Sequence, residues 1–293
     1  MIRVHVPATS ANLGPGYDCL GLALDWEGVF DFERIESGVS IHGCNEQYCN
    51  EDNLVYRSFL HTLAAMNEEI SGISITIHCD IPTQRGLGSS AACIVAGAMG
   101  ANALFQNRLN KYELFSLCTR MEGHPDNVAP ALFGQLTVSF IDEGQPSMIR
   151  YGLHPQLKFL AMIPQTGVST QEARSLLPDH LSYADAVSQI GRSAALCKAL
   201  EIGNHLIIRK ACHDTMHEPY RRQLIEEYDQ MYEIAKKAGA SAMFISGSGS
   251  TMLAVSDEES ILMDIMLAGK KAFPIMEMKI LKADRIGAWS EVL

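Results

Sequence analysis

The chain has little with which to hold a nucleic acid or an anionic membrane. Across its 293 residues Asp and Glu outnumber Lys and Arg by 34 to 23, leaving a formal net charge of -11. Both partners need a basic face, so they are not expected, and any phosphate binding must be local. A membrane-spanning run is also missing. Gly86 to Asn107 carries no charge, but it is mostly Gly, Ala, Ser, Cys and Asn, which is too weakly apolar for lipid and fits a helix buried in protein. The start, MIRVHVPATS, has no basic region followed by an apolar core, so no secretory signal is expected. The 8 cysteines form no C-x-x-C pair, as expected of reduced thiols in a cytoplasmic protein.

Several catalytic codes are absent too. No Lys follows a glycine loop in the Walker manner, and there is no G-x-S-x-G elbow. His213 and His217 lie four apart near Cys212, but no Glu follows His213 and no third zinc ligand is assigned. Glu226, Glu227 and Asp229 with Lys236 and Lys237 are expected to form a solvated helix face.

What is present is a strand, a glycine loop and a helix in succession. Ile73, Ile75, Ile77, Cys79 and Ile81 alternate with Ser74, Thr76, His78 and Asp80, the period of a half-buried strand that Pro82 ends. The loop Pro82, Thr83, Gln84, Arg85, Gly86, Leu87, Gly88, Ser89, Ser90, Ala91, Ala92 then opens a helix from Ala91 to Phe105, for which Ser89 or Ser90 is the expected cap. Gly86 and Gly88 let the main chain approach a ligand at positive φ. The free N–H groups and dipole of the first helical turn favour an anion, and the Ser89 and Ser90 hydroxyls can add bonds to phosphate or to Mg²⁺. A nucleotide polyphosphate suits this arrangement. The loose dinucleotide form G-x-G-x-x-A also matches, but a Pro and three polar residues part strand from glycines, and a purely structural turn is the plain alternative.

The length suggests two domains or one large one. Strands are expected at Arg3 to Pro7, Gly28 to Ile35, Ile73 to Ile81 and Gln135 to Phe140. Helices are expected near Asn53 to Asn67, Ser90 to Gln106 and Lys111 to Arg120. Their order does not alternate strictly, which points to an α+β fold. The polar, turn-rich piece Asp142 to Pro155 is the expected boundary, giving domains 1-150 and 151-293. The second should hold a strand at Leu157 to Ile163, helices near Tyr183 to Leu200, Leu206 to Ala211 and Arg221 to Ala238, a strand pair around Ser246 to Thr251, another helix, and a last strand at Met276 to Ala283.

Three more segments are too rich in Gly, Pro and small polar residues to be core. In Pro7 to Asp18, a tight turn is expected after the first strand, where Asn12 and Asp18 either bond their own backbone or face a ligand. Glu122-Gly-His124-Pro-Asp126-Asn127 crowds polar side chains before Val-Ala-Pro. Ser246-Gly-Ser-Gly249-Ser-Thr251 is either a simple hairpin or part of a site.

Taken together, PATSANLGPGYDCLGLAL, PTQRGLGSSAA and SGSGST resemble the three motifs of the GHMP small-molecule kinases, in order and spacing along nearly the whole chain. Within that superfamily EGHPDNVAP, the segment Ser169 to Pro178 and Glu218-Pro-Tyr-Arg221 are similar to the homoserine kinases, which phosphorylate L-homoserine on the route to threonine. The resemblance implies an N-terminal domain like the second domain of ribosomal protein S5, a ferredoxin-like C-terminal domain, and an active site between them. It implies ATP and Mg²⁺, a small-molecule substrate and a possible homodimer. Residues Pro82 to Ala92 would wrap the ATP phosphates, with Ser90 and Glu122 as metal neighbours and Asn53 near the adenine. Asn12, Asp18, His124 and Asn127 would hold the amino and hydroxyl ends of homoserine, with Asn127, Asn12 and Glu122 as the catalytic set. Thr170, Arg174 and Arg221 would take its carboxylate, and Gly247 to Ser250 would close the site.

Arg suits a carboxylate because its planar fork makes two parallel bonds. Asn127 stands where several relatives of the superfamily carry an Asp base. An amide cannot accept a proton, so Asn127 should orient the hydroxyl, while the adjacent Asp126 is expected to point elsewhere. Another GHMP kinase, acting on threonine, a sugar or an isoprenoid alcohol, and a non-catalytic sensor on the same scaffold remain the alternatives at this stage.

Overall fold

A computed structural model describes residues 1–293. The first half runs β1 (Ile2–Asn12), β2 (Gly16–Arg34), β3 (Gly38–His42), α1 (Leu54–Met66), β4 (Gly72–His78), α2 (Ser89–Leu104), α3 (Lys111–Glu122), α4 (Val128–Phe133), β5 (Leu136–Asp142) and β6 (Gln145–Tyr151). The second runs β7 (Lys158–Ile163), α5 (Thr170–Ser175), α6 (Tyr183–Ile202), α7 (His205–Ala211), α8 (Glu218–Arg221), α9 (Tyr228–Ala238), β8 (Ala242–Ile245), β9 (Met252–Ser256), α10 (Glu259–Ala272), β10 (Glu277–Leu281) and β11 (Trp289–Val292).

The long strand β2 is the spine of a 7-stranded sheet ordered β11-β1-β2-β4-β3, with β5 joined to β2 and β6 joined to β5. Its first part pairs with β5 and its last part with β4, while β1 runs antiparallel along its other edge. Two register shifts, at Pro7/Ala8 and Ala11/Asn12, bend this pair. The bend sets the Asn12 end of β1 at the site. Behind the sheet, α2 is buried from Ala91 to Asn102 except at Cys93. Its small residues let neighbours come close: a Cβ at Gly97 would lie 2.1 Å from the Val55 carbonyl oxygen of α1.

The second sheet has the order β10-β7-β9-β8, all antiparallel. In chain order this places the last strand beside the first and the third beside the second, the ferredoxin-like arrangement. Helices α9 and α10 pack on one face through Met231, Ala235, Leu262 and Ile265. The other face shares a core with the first sheet, in which Leu22, Leu24, Ile81 and Leu87 join Phe159, Ala161, Leu253 and Val255. The two halves are thus fastened by continuous apolar packing, which gives the cleft between them a fixed shape. No helix is long and apolar enough to cross a membrane.

Four expectations change. The segment after Pro7 is not a turn but the rest of β1, and the turn is confined to Leu13–Pro15 before β2 begins at Gly16. Asp142 to Pro155 is not an irregular linker, because Gln145–Tyr151 forms β6 on the first sheet. The final residues Trp289–Val292 return to the first sheet and pair with β1, so the chain end belongs structurally with the N-terminal half. Arg221 to Ala238 is broken into α8, a 3-10 turn at Arg222–Leu224 and α9.

Candidate active site

The glycine loop is oriented by its carbonyls. Those of Gln84, Arg85, Gly86 and Leu87 accept from Val168 N, Thr251 N, Ser246 Oγ and Thr9 N at 3.1, 3.1, 2.6 and 3.1 Å. The amide N–H groups from Gln84 to Ala91 donate to no protein atom. With every carbonyl of that stretch turned to protein, the amides form a cradle of donors at the start of α2, where the helix dipole adds positive potential. Gly88 caps the helix at φ 67°, so neither Ser89 nor Ser90 is the cap and both hydroxyls are released from that duty. A Cβ at Gly88 would sit 1.8 Å from Thr9 Oγ1, and one at Gly86 would sit 2.0 Å from the Ser246 oxygen.

Not all of the loop's side chains face the cradle. The Arg85 guanidinium donates to the carbonyls of Pro164 (2.9 Å) and Gln165, tying the loop to the second half. Its charge therefore does not serve phosphate, and only its amide remains for that purpose. Leu87 is buried in the shared core. Asn53 is likewise occupied: it caps α1 by accepting from Val55 N and Tyr56 N, and it donates to Tyr48 O and Cys44 Sγ. No polar position of its amide is left for an adenine.

Ser90 Oγ donates to Glu122 Oε2 at 2.7 Å. Burial pushes the Glu122 pKa up, and the Ser90 bond and the His124 charge only partly offset this. A hydroxyl beside one carboxylate at the edge of a phosphate cradle fits Mg²⁺, which takes one or two protein oxygens and completes its shell with phosphate and water. No three His, Cys, Asp or Glu side chains converge elsewhere as a metal cluster.

Asn127 stands at the N-terminus of α4 beside Gly88. Its Oδ1 accepts from Thr9 Oγ1 at 2.7 Å, which fixes the amide and turns Nδ2, free of protein acceptors, outward. Asp126 is buried and accepts from the His124 ring and from Asn127 N at 2.9 Å. Burial opposes the charge of His124, but Asp126, Glu122 and Asp18 outweigh it and raise its pKa.

On the opposite side, Arg174 from α5 makes two bonds of 2.9 Å with Asp18 and a third of 2.9 Å with Tyr17 Oη. Arg221 from α8 is buried. It donates to Ala173 O (3.3 Å), Gly247 O (3.0 Å) and Tyr17 Oη (3.5 Å), and its guanidinium lies 5.0 Å from the Tyr17 ring centre. Thr170 lies exposed at the start of α5, one turn from Arg174.

Asn12 bonds backbone atoms, one of the two roles expected of it. It is buried with φ 73°, donates to Gly247 O at 2.8 Å and accepts from Asp18 N at 3.0 Å. Its amide thus clasps β1 to the turn between β8 and β9 and sets Asp18. Gly247 serves the same clasp, and Ser246–Thr251 is both a hairpin turn and a wall of the site.

Two participants were not singled out from the sequence, and a third was noticed only for another chemistry. Thr9 and Tyr17 lie inside the first motif, and each could have been noticed as the hydroxyl beside an already chosen residue or strand. His217, whose Nε2 meets Gly14 O at 2.9 Å, gave no signal beyond its spacing from His213.

Comparison with known proteins agrees with this geometry. Residues 53–135 match the family model described as GHMP kinases N terminal domain, and residues 194–263 match GHMP kinases C terminal. A homoserine kinase of Clostridium beijerinckii (strain ATCC 51743 / NCIMB 8052) is 40% identical over 260 residues, spanning 88% of this chain and 87% of the relative. One of Clostridium botulinum (strain Eklund 17B / Type B) is 39% identical over 258 residues with the same coverage of each. The crystal structure of a homoserine kinase from Cytophaga hutchinsonii ATCC 33406 superposes with a TM-score of 0.89 at 30% identity, covering 99% of this chain and 97% of that one. With the cradle, the paired arginines and these matches together, the chain belongs to the GHMP kinase family, on its homoserine kinase branch.

Proposed function

We propose that the protein transfers the γ-phosphoryl group of ATP to the side-chain hydroxyl of L-homoserine, giving O-phospho-L-homoserine and ADP, a step toward threonine. One observation carries the reading. A cradle of unpaired amides adjoins two arginines and an aspartate through Gly247, whose carbonyl Arg221 and Asn12 hold and where a Cβ would lie 3.4 Å from the Gly86 oxygen; the arginines and aspartate are suited to the carboxylate and ammonium of an amino acid.

The amides from Gln84 to Ala91 would hold the polyphosphate, and Ser90 and Glu122 would hold Mg²⁺. The metal, when bound, would neutralise charge on the transferring phosphoryl oxygens. Asp18 would take the substrate ammonium, while Arg174, Arg221 and Thr170 would take its carboxylate. His124, raised above its ordinary pKa, would serve the amino and hydroxyl end. Asn127 would aim the hydroxyl through Nδ2, with Thr9 fixing the other end of its amide. Asn12 and Gly247 hold these walls in register.

The hydroxyl oxygen attacks the γ-phosphorus as the bond to the β–γ bridging oxygen breaks and the electron pair leaves with ADP. In a loose transition state the hydroxyl keeps its proton until late and then loses it to solvent, so no side-chain base is required. Placement and charge stabilisation supply the acceleration.

The test is turnover of ATP against a panel of amino alcohols, amino acids, sugars and isoprenoid alcohols, with the phosphate ester identified by phosphorus NMR. Homoserine should be preferred by kcat/KM. Preference for a neutral sugar, or no turnover with any acceptor, would sink the assignment.

A further inference from the structure

We propose that the Tyr17 hydroxyl is a fourth carboxylate-binding group, which with Thr170, Arg174 and Arg221 selects acceptors bearing a carboxylate. The inference rests on the homoserine reading and goes beyond the arginine pair.

A phenol oxygen has one hydrogen to donate and two lone pairs to accept with. Both accepting positions of Tyr17 are taken, by Arg174 Nη1 at 2.9 Å and by Arg221 Nη2 at 3.5 Å. Two cationic donors polarise the O–H, and that hydrogen donates to no protein atom. The only position left on the hydroxyl is therefore a donor, set between the two guanidinium groups where an anion is most favoured. Asp18 does not take this hydrogen: the bonds its carboxylate makes are the two from Arg174, and none comes from Tyr17 Oη.

The ring is fixed as well as the hydroxyl. Tyr17 lies 5.0 and 5.7 Å from the two guanidinium carbons and 5.4 Å from the His217 ring, and His217 is held by Gly14 O. The donor is therefore preorganised, and binding costs it little entropy. Burial is the main influence on the phenol and keeps its proton on, with the charge of Asp18 acting in the same direction against the two arginines. The hydroxyl thus remains a donor across the neutral range.

The test is Tyr17→Phe, which keeps the ring. Loss of one hydrogen bond to a charged group should raise KM for homoserine about ten- to hundredfold, with kcat within about twofold and KM for ATP unchanged. With 3-aminopropan-1-ol, which keeps the ammonium and hydroxyl but has no carboxylate, kcat/KM should be the same for variant and wild type. An unchanged KM for homoserine, or an equal loss with both acceptors, overturns the inference. A measurement on the wild type needs no folded variant: with tyrosine ring carbons labelled, the NMR signal of Tyr17 should move clearly further on adding homoserine than on adding 3-aminopropan-1-ol, which disturbs only the Arg174 side of the hydroxyl. A Tyr17 signal unmoved by homoserine overturns it too. If the wild type phosphorylates no amino alcohol, the failure lies with the proposed function instead.

Discussion

Asp18 and Arg174 hold each other in a two-pronged ion pair, with both N···O distances at 2.9 Å, although each is assigned to an opposite end of the same zwitterion. Each side chain is about a third exposed, at 33% and 37%, so water screens the pair and the cost of parting it is small. A substrate that offers both an ammonium and a carboxylate repays each partner with a new one. An acceptor with only an ammonium must break the pair without repaying Arg174.

That asymmetry has a sign that can be measured. Arg174→Ala should raise KM for homoserine at least about tenfold, since it removes a charge-assisted contact. The same change frees Asp18 from its competitor, so KM for 3-aminopropan-1-ol should fall by about two- to fivefold. Steady-state kinetics on the two acceptors decides the matter. A rise for both would mean that Arg174 supports the fold of the cleft rather than competing for Asp18.

Gly88→Ala tests the cradle. At φ 67° an alanine carries roughly 1–2 kcal/mol of backbone strain. Its methyl would also lie 1.8 Å from Thr9 Oγ1, so the loop must shift and its amides lose their common aim. ATP affinity measured by calorimetry should fall at least about tenfold. Adding Thr9→Ala should recover only part of the loss, because the contact is relieved while the strain remains.

The cradle was legible because it is local. Strand, loop and helix follow within one short segment, and proline, glycine and serine mark its turns. The first half of β2 was not legible for the opposite reason. Leu20 to Leu24 is buried on both faces, so the period of two that marks a strand is erased there, and the small residues before it read as turn. The last strand, Trp289–Val292, is short and mostly exposed and is defined by its ladder with β1, which no local pattern encodes. The roles of Asn12, Arg85 and Tyr17 were hidden similarly. Asn12 meets Gly247, Arg85 meets Pro164 and Tyr17 meets Arg221, contacts that exist only once the two halves have packed together.

Thr9 separates placement of Asn127 from its mere presence. It is fully buried, and its hydroxyl is the donor that fixes which end of the Asn127 amide faces the cleft. Thr9→Val keeps the shape and removes the donor, so the amide is free to present its oxygen instead. We expect kcat to fall about tenfold, the worth of one hydrogen bond, with KM for ATP unchanged. Thr9→Ser restores the donor and should recover most of the rate, whereas a purely steric role for Thr9 would leave Val better than Ser.

Behind Arg221, two buried titratable groups set opposite slopes of stability with pH. Burial pushes the Glu218 carboxyl up to about 8, with Ile245 N donating to it at 2.6 Å. Burial also pushes His217 down to about 4, against the pull of Asp214. Glu218 titrates near its ordinary value of about 4.3 when unfolded, so the native state holds the extra proton between there and about pH 8. Its contribution is fully present below the unfolded value and is lost as pH rises through the folded one. For His217 the unfolded state takes up the proton first, near about pH 6.5, so stability is lost as pH falls from there toward the folded value. Glu218→Gln keeps the acceptor for Ile245 N and cannot ionise, so its melting temperature should gain on the wild type as pH rises from about 5 to about 8. A difference between the two proteins that stays constant across that range would show that Glu218 is already ionised in the folded chain.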